Sequence, residues 1–381
     1  MGYVQSGSKP RRAVRKSLVI TTPAKRPMHE AEEAEDGLKP APGWPPAPAG
    51  GYGAAVVYAA RLTVLGSLNM DISVTVPDLP VPGATVLGRA AVYAPGGKGA
   101  NQAVAAARLA GQAGPPVAMI GCVGDDEFGR TLRAALRSEG VDDGAVRTVA
   151  GVSTGIAMIT VDQAGENMIT VATGANHEVS AADIADIAAT TTPTAARDVL
   201  VVSAEVPIAV IRAALAATAG RLLQVLNLAP APPEAADIVA AGPDWLVVNE
   251  SEAAAVLGRP VAGLAEAATA AADLVAAGGR NAVVTAGAAG AAYCGPGGVI
   301  TVPGFKVTAV DTVGAGDTFV GALAVALAAG VAPAEAVTAA AAAGAAAAAR
   351  PGTQSGMPSP ADVLAATGRP WPVEQRLTRE Q

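Results

Sequence analysis

Residues 199–230 read VLVVSAEVPIAVIRAALAATAGRLLQVLNLAP. VLVVSAE and LLQVLNLAP are short, apolar at successive positions and rich in Val and Leu, as strands buried on both faces are. Between them, AVIRAALAATAG has the length and alanine content of a helix closed by glycine. The strand texture returns in LTVLGS (62–67), VAMIGCVG (117–124), WLVVNE (245–250) and NAVVTAG (281–287), and the helical one in NQAVAAARLAG (101–111) and FGRTLRAALRSEG (128–140). Strand, helix and strand repeated in this way predict an α/β fold, a central and mostly parallel sheet with helices on both faces. Each strand run ends in Gly, Asn, Ser, Thr or Glu, and sheets of this kind bind ligands at the carboxyl ends of their strands.

Two stretches break the rhythm. Residues 71 to 94 and 153 to 172 carry alternation and turn residues without a helix, which predicts paired antiparallel strands forming a small sheet that serves as a lid. Residues 1 to about 60 differ in kind: a basic KPRRAVRK, an acidic EAEEAED and a Pro-rich KPAPGWPPAPAGG predict a disordered extension. Arg11 and Arg12 resemble a twin-arginine signal, but the SLVI that follows is too short for the apolar region of one.

Composition removes several classes of function. The chain has 381 residues, 51% hydrophobic and 15% charged, with a net charge of -7, which argues against a general nucleic-acid surface. No apolar run reaches the roughly 18 to 20 residues of a membrane span. The two cysteines, Cys122 and Cys294, match no zinc or redox spacing and point to a reducing cytoplasm. With only His29 and His177 present, chemistry built on a histidine base or a histidine metal cluster is nearly excluded.

Three segments can carry chemistry. DTVGAGDTFV (311–320) sets Asp311 and Asp317 around Gly314, Ala315 and Gly316 at the mouth of a helix expected to run to Gly330 and Pro333. Backbone N–H groups and the helix dipole there favour an anion, and Asp317 beside them would take a proton from a hydroxyl. The competing reading is that Asp311 or Asp317 only caps the helix. APGGKGANQAVAAARLAG (94–111) offers Lys98 and Asn101 beside glycines that allow close backbone approach. GSLNMD (66–71) ends a strand with Asn69 and Asp71 on one side, suited to adjacent sugar hydroxyls. No phosphate-binding G-x-x-x-x-G-K-[ST] loop occurs, and the dinucleotide fingerprint fails at Phe319.

These segments, together with GDDEFG, STGIAMI, GENMI, GAN, NLAPAP, NESEA, VVTAGAAG and DTVGAGDTFVGAL in that order, resemble the ribokinase-like (PfkB) carbohydrate kinase family over about residues 62 to 367, followed by a C-terminal tail at 368 to 381. The resemblance implies a ribokinase-like fold with a small β-sheet lid, and ATP-dependent phosphorylation of D-ribose at its 5-hydroxyl. It implies Asp317 as base, with Gly314, Ala315 and Gly316 as the anion hole. Asn69, Met70, Asp71, Gly97, Lys98, Gly99, Ala100, Asn101, Glu205 and Asp317 itself would bind the sugar. Asn249, Thr285, Ala286, Gly287, Ala288, Ala289, Gly290, Gly316 and Ala341 would serve ATP, and Glu252 the hydrated Mg²⁺, the lesser reading being that NESE simply caps the following helix. A K⁺ site would draw on Asp311, Val313, Ala347, Arg350, Gly352 and Gly356. Gly356 replaces the usual Ser, Ala341 a His or Asn, and Leu228 the Pro of NPAP. A homodimer through the lids is expected. A sister kinase for deoxyribose, a nucleoside or another sugar, a sugar-binding regulator without catalysis and a nicotinamide dehydrogenase are the alternatives.

Overall fold

The computed structural model describes residues 60 to 373 apart from 113, 186 and 188 to 197. The extension expected to be disordered (residues 1 to about 60) and residues 374–381 of the tail therefore lie outside the described residues, Ala60 excepted.

Thirteen strands form two sheets among the described residues. In chain order they are β1 (Leu62–Leu65), β2 (Asn69–Thr75), β3 (Val92–Gly96), β4 (Val117–Gly124), β5 (Asp142–Val149), β6 (Gly155–Val161), β7 (Asn167–Ala172), β8 (Val199–Ser203), β9 (Leu223–Asn227), β10 (Trp245–Asn249), β11 (Ala282–Thr285), β12 (Gly290–Gly295) and β13 (Gly298–Pro303). The large sheet runs β13-β12-β11-β10-β9-β8-β1-β4-β5, parallel except for the two antiparallel pairings made by β12. All six strand runs read from the sequence lie in its parallel part.

Helices cover both faces, as buried parallel strands require. They are α1 (Lys98–Ala110), α2 (Glu127–Ser138), α3 (Ile208–Thr218), α4 (Ala235–Ala240), α5 (Glu250–Leu257), α6 (Gly263–Ala276), α7 (Ala315–Ala328), α8 (Pro333–Ala348), α9 (Thr353–Gly356) and α10 (Pro360–Thr367). Two apolar clusters follow from this layering. Val64, Met119, Val201 and Val225 pack with α1, α7 and α8 on one side, and Leu65, Leu200, Leu226 and Val248 with α3 and α6 on the other. Alanines line α1, α7 and α8 where these helices approach closely: a Cβ at Gly321 of α7 would meet the Gln102 carbonyl of α1 at 2.7 Å, and one at Gly344 of α8 the Ala315 carbonyl of α7 at 3.1 Å. Gly330 closes α7, but Pro333 opens α8 at its first turn, where its missing N–H costs nothing. The VPGFKVTAV stretch is a strand end, since β13 stops at Pro303. Trp371 and Val373 are buried, so the start of the expected tail packs into the main core.

The second sheet has the order β3-β2-β6-β7. β2 with β3 and β6 with β7 are antiparallel pairs, as expected, but β2 and β6 join in parallel. Residues 77 to 91 are irregular rather than strand.

The strand order reverses at β1, which leads to β4 and β5 on one side and lies beside β8 on the other. A crevice at the carboxyl ends of β1 and β8 is the default ligand position in such a sheet. The segments Gly66 to Asp71 and Ser203 to Glu205 begin there.

Candidate active site

The crevice is built by close backbone approach. A Cβ on Gly99 would meet the Gly66 carbon atoms at 2.6 Å, and one on Gly66 would meet Gly99 Cα at 2.7 Å. Gly97 caps α1 at a φ of 89°, and any side chain there would strike the Asn69 N–H at 2.6 Å. The helix thus starts at Lys98, three residues earlier than its alanine pattern shows, and presents Lys98 and Asn101 at the strand ends.

Glu205, just beyond β8, ties the crevice together. Its Oε2 accepts from Ser67 Oγ at 2.5 Å and from the Lys98 backbone N–H at 3.2 Å, and Lys98 Nζ stands 3.9 Å from its Oε1. Asn69 and Asp71 share one face of β2, with Asp71 lying over Gly96 of β3, where a Cβ would collide with its carboxylate. Met70, between them, is buried in the main core and does not share that face. Asn176 fixes Asn69 by donating from Nδ2 to its Oδ1 at 2.7 Å, and its own Oδ1 accepts from the Leu68 N–H at 2.8 Å. Gly99 and Ala100 are buried and supply packing and backbone.

Asp317 enters from α7. Its Oδ2 accepts from Asn101 Nδ2 at 3.0 Å and its Oδ1 from Gln102 Nε2 at 3.1 Å. Neither aspartate caps the helix: the cap is Gly314, at a φ of 79° and with no side-chain bond. Asp311 instead accepts from the Val313 and Gly352 N–H groups, each at 3.0 Å. The Ala315 N–H is directed at the Thr312 carbonyl at 3.3 Å, whereas among the described residues no acceptor meets the N–H groups of Gly316 and Asp317. These orphan donors, at the positive end of the α7 dipole, can accept an anion.

One ammonium faces four carboxylates here. Burial disfavours charge on Lys98, but Asp317, Glu205, Glu252 and Asp71 outweigh it and raise its pKa above the ordinary value. Burial raises the Asp317 pKa, against the lowering effect of Lys98 and of the two amide donors. Asp71 is raised to about 7, first by burial and then by Glu205 and Asp317, with Lys98 opposing. Perturbed carboxyls gathered at a strand-end crevice make this the candidate site for chemistry.

The remaining candidates line the same sheet edge. Asn249 and Thr285 are register partners at the ends of β10 and β11. NESE does form a capping box: Asn249 Oδ1 accepts from the Glu252 N–H at 2.9 Å and Glu252 Oε2 from the Asn249 N–H at 2.8 Å. Glu252 still senses Lys98 and Asp317, and burial raises its pKa. Capping and facing the crevice are therefore compatible. After Thr285 the chain turns at Ala286, whose N–H donates to the Gly290 carbonyl at 2.8 Å, leaving Gly287, Ala288 and Ala289 exposed. Gly290, at a φ of 115°, lies against the Val302 carbonyl with no room for a side chain. Ala341 is half-buried against the main core and brings only a methyl group.

The loops around residues 311 and 350 lie side by side, since the Val310 and Asp311 N–H groups donate to the Ala348 carbonyl at 2.8 and 3.2 Å. Arg350 turns its guanidinium onto Asp362 at 2.5 Å, so it brings only backbone to these loops. Ala347 and Gly352 offer carbonyls that already accept from Arg350 and Gly356 N–H groups at 3.0 Å each and keep a second lone pair. A donor set of carbonyls plus the Asp311 carboxylate fits a monovalent cation. No cluster of three or more Asp, Glu, His or Cys with metal-ligand geometry occurs among the described residues. A divalent ion at Glu252 would thus draw most of its oxygens from phosphates and water, as Mg²⁺ does.

A model of the pfkB family of carbohydrate kinases matches residues 59–360. The chain belongs to this family. Carbohydrate kinases similar to it include the ribokinase of Schizosaccharomyces pombe, 38% identical over 310 residues that cover 80% of this chain and 96% of that one. The deoxyribokinase of Salmonella typhi is 35% identical over 269 residues, 69% of this chain and 84% of that one. The structure of Arabidopsis thaliana ribokinase complexed with ribose and ATP matches with a TM-score of 0.70 at 29% identity, covering 81% of this chain and 98% of that one. The fold of this carbohydrate kinase, a large mostly parallel sheet with helices and a small separate sheet, is ribokinase-like.

Four polar residues of the kinase were not assigned roles from sequence: Ser67, Gln102, Asn176 and Gln354. Gln102 and Asn176 stand inside GGKGANQ and GAN, motifs that carried the family resemblance, so a signal existed for them.

Proposed function

We propose that the protein transfers the γ-phosphoryl group of ATP to the 5-hydroxyl of D-ribose, releasing D-ribose 5-phosphate and ADP. The observation that carries this reading is Asp317, held by two amide donors beside the unpaired N–H groups of Gly316 and Asp317. Asp71, Lys98, Asn101 and Glu205 would bind the sugar hydroxyls. Asp317 removes the hydroxyl proton as the oxygen attacks the γ-phosphorus, the bond to ADP breaks, and the N–H groups stabilise charge on the phosphoryl oxygens. Bound with ATP, Mg²⁺ would neutralise phosphate charge, with Glu252 to hold its hydration shell. A K⁺ ion between the 311 and 350 loops would add positive charge behind the anion hole. The turn from Thr285 to Gly290, with Asn249 beside it, would follow the ATP phosphates and ribose.

A coupled ADP assay on purified protein with a panel of sugars tests this. Ribose is expected to give the highest kcat/KM. The deoxyribokinase relative supports deoxyribose as the second reading, and a higher kcat/KM for deoxyribose would select it. Absence of ADP production with every sugar would remove the kinase reading itself.

Sugar binding should depend on pH. Because Asp71 has a pKa raised to about 7, much of it is neutral in mildly acidic solution. Sugar hydroxyls donate to the ionised carboxylate, so binding favours that form and releases protons. Affinity for ribose is therefore expected to rise with pH up to about 7 and to level off above it. Calorimetry in buffers of different ionisation enthalpy measures the proton release; an affinity constant across that range would contradict the role given to Asp71.

We read the four-stranded sheet as a lid and as a dimer contact. Every residue of β7 is exposed, with Met158 and Met168 on one face and Ile169 and Val171 on the other. Apolar strands open on both faces are a liability unless covered. Ile169→Lys is expected to shift a dimer to monomer in sedimentation, with sugar affinity reduced; an unchanged dimer would exclude this face. The two thiols, buried and unpaired, suit a cytoplasmic setting. No helix among the described residues is long and apolar enough to cross a membrane.

A further inference from the structure

Asp317 depends on two amides whose orientation is itself controlled. An amide has near-identical ends, one donating and one accepting, so a flip would turn an oxygen onto the carboxylate. Asn227 Nδ2 donates to the Val247 carbonyl at 3.1 Å, a backbone group that can only accept. Its Oδ1 must therefore face Gln102, whose Nε2 donates to it at 2.9 Å and to Asp317 Oδ1 at 3.1 Å. On the other side, Gln354 Nε2 donates to Asn101 Oδ1 at 3.0 Å, which leaves Asn101 Nδ2 to donate to Asp317 Oδ2. Gln354 is held in turn by Arg108, whose Nη1 donates to the Gln354 and Met357 carbonyls at 2.7 and 2.8 Å while its other nitrogens grip Glu139 at 2.7 Å.

Gln102 is fully buried and its Oε1 has no partner among the described residues. Methionine would fill that space without stranding a polar atom, so packing does not explain a glutamine there. Its two donors, both used, do.

We propose that Gln102 and Gln354 are positioning residues that hold Asp317, one directly and one through Asn101, in the orientation needed for proton removal. Gln354 lies in α9, within the loop assigned to the monovalent cation, and so joins that loop to the base through one side chain. Lys98 from α1, Glu205 beyond β8, Asp71 from β2 and Glu252 from α5 also act on Asp317, and neither substitution replaces any of these groups. This positioning role presupposes Asp317 as the base.

The test is steady-state kinetics over pH for Gln102→Met and Gln354→Met, with sugar binding measured by calorimetry without nucleotide. Losing a donor to a charged acceptor in Gln102→Met is expected to lower kcat about 10- to 100-fold with sugar KM nearly unchanged. The acid limb of its pH profile moves to higher pH, because a hydrogen bond to the ionised form has gone. A packing role would lower the melting temperature without moving that limb. Gln354→Met frees the Asn101 amide to flip, so sugar affinity and kcat fall together. It lies outside contact with Asp317 and tests the clamp on its own if Gln102→Met does not fold. An unmoved acid limb in Gln102→Met, or sugar affinity and kcat both within about twofold of the parent in Gln354→Met, overturns the proposal. Failure of the base is distinguished by Asp317→Ala: if that variant turns over, the base falls, whereas an inactive Asp317→Ala with an unmoved limb removes only the clamp.

Discussion

Asp317→Ala is expected to lower kcat by about a hundredfold to ten-thousandfold, the range a positioned general base supplies. The carboxylate is the only acid group that both Asn101 and Gln102 hold, and it sits at the third residue of α7, where the helix N–H groups are free. Alanine keeps the helix and the orphan donors, so nucleotide binding should survive. Sugar binding should survive in part, since Asp71, Lys98 and Glu205 remain. Removing one carboxylate also relieves repulsion on Asp71, whose pKa should fall from about 7. The variant is thus expected to bind sugar less pH-dependently while transferring almost no phosphate. Isothermal titration with ribose and a coupled ADP assay read the two effects separately. Turnover near that of the parent would show that the proton leaves by another route.

Gly99→Ala is expected to do comparable damage from a residue without chemistry. Its Cβ would stand 2.6 Å from two backbone atoms of Gly66 and 2.7 Å from the Ser67 N–H, none of which can rotate away. The start of α1 must then shift, at a cost of about 1 to 3 kcal/mol in stability. Lys98, Asn101 and Gln102 are carried on that start, so they leave Glu205 and Asp317 together. A displacement of about 1 Å in such an arrangement costs on the order of a hundredfold in rate. We expect kcat/KM for the sugar to fall by at least that factor while the protein still unfolds cooperatively. A variant with parental kcat/KM would mean that the close approach of Gly66 and Gly99 is dispensable.

The parallel strands were legible because burial on both faces writes an unbroken apolar run, as in VLVVS and WLVVN. β5 was not, since DDGAVRTV is an edge strand with five of its eight residues exposed and mixes charge with apolar positions. β12 escaped notice because GAAYCG is rich in glycine and alanine, which carry little strand preference, and β13, although GVITVP holds Val, Ile and Thr, because it is a mostly exposed edge strand bounded by Gly298 and Pro303. At the site, Asn69, Asp71, Lys98, Asn101 and Asp317 could be named because polar residues at strand ends and helix starts stand out locally, and Glu205 through the family resemblance. Gln354 lies in no motif, and Gln102, although inside GGKGANQ, shows no role there, because their meaning lies in contacts with Asn101 and Asp317 that span 253 and 215 positions of sequence. NESE shows a different limit: a capping box and a site residue use the same letters, and only the position of α5 beside Lys98 reveals that both apply.

Among the described residues every strand of both sheets is complete by Pro303, while the proposed base, the free N–H groups and the 350 loop all follow it. A ribosome delivering this chain from its N-terminus therefore finishes the scaffold first and the reactive corner last. The growing polypeptide holds the groups proposed for the sugar well before those proposed for phosphoryl transfer.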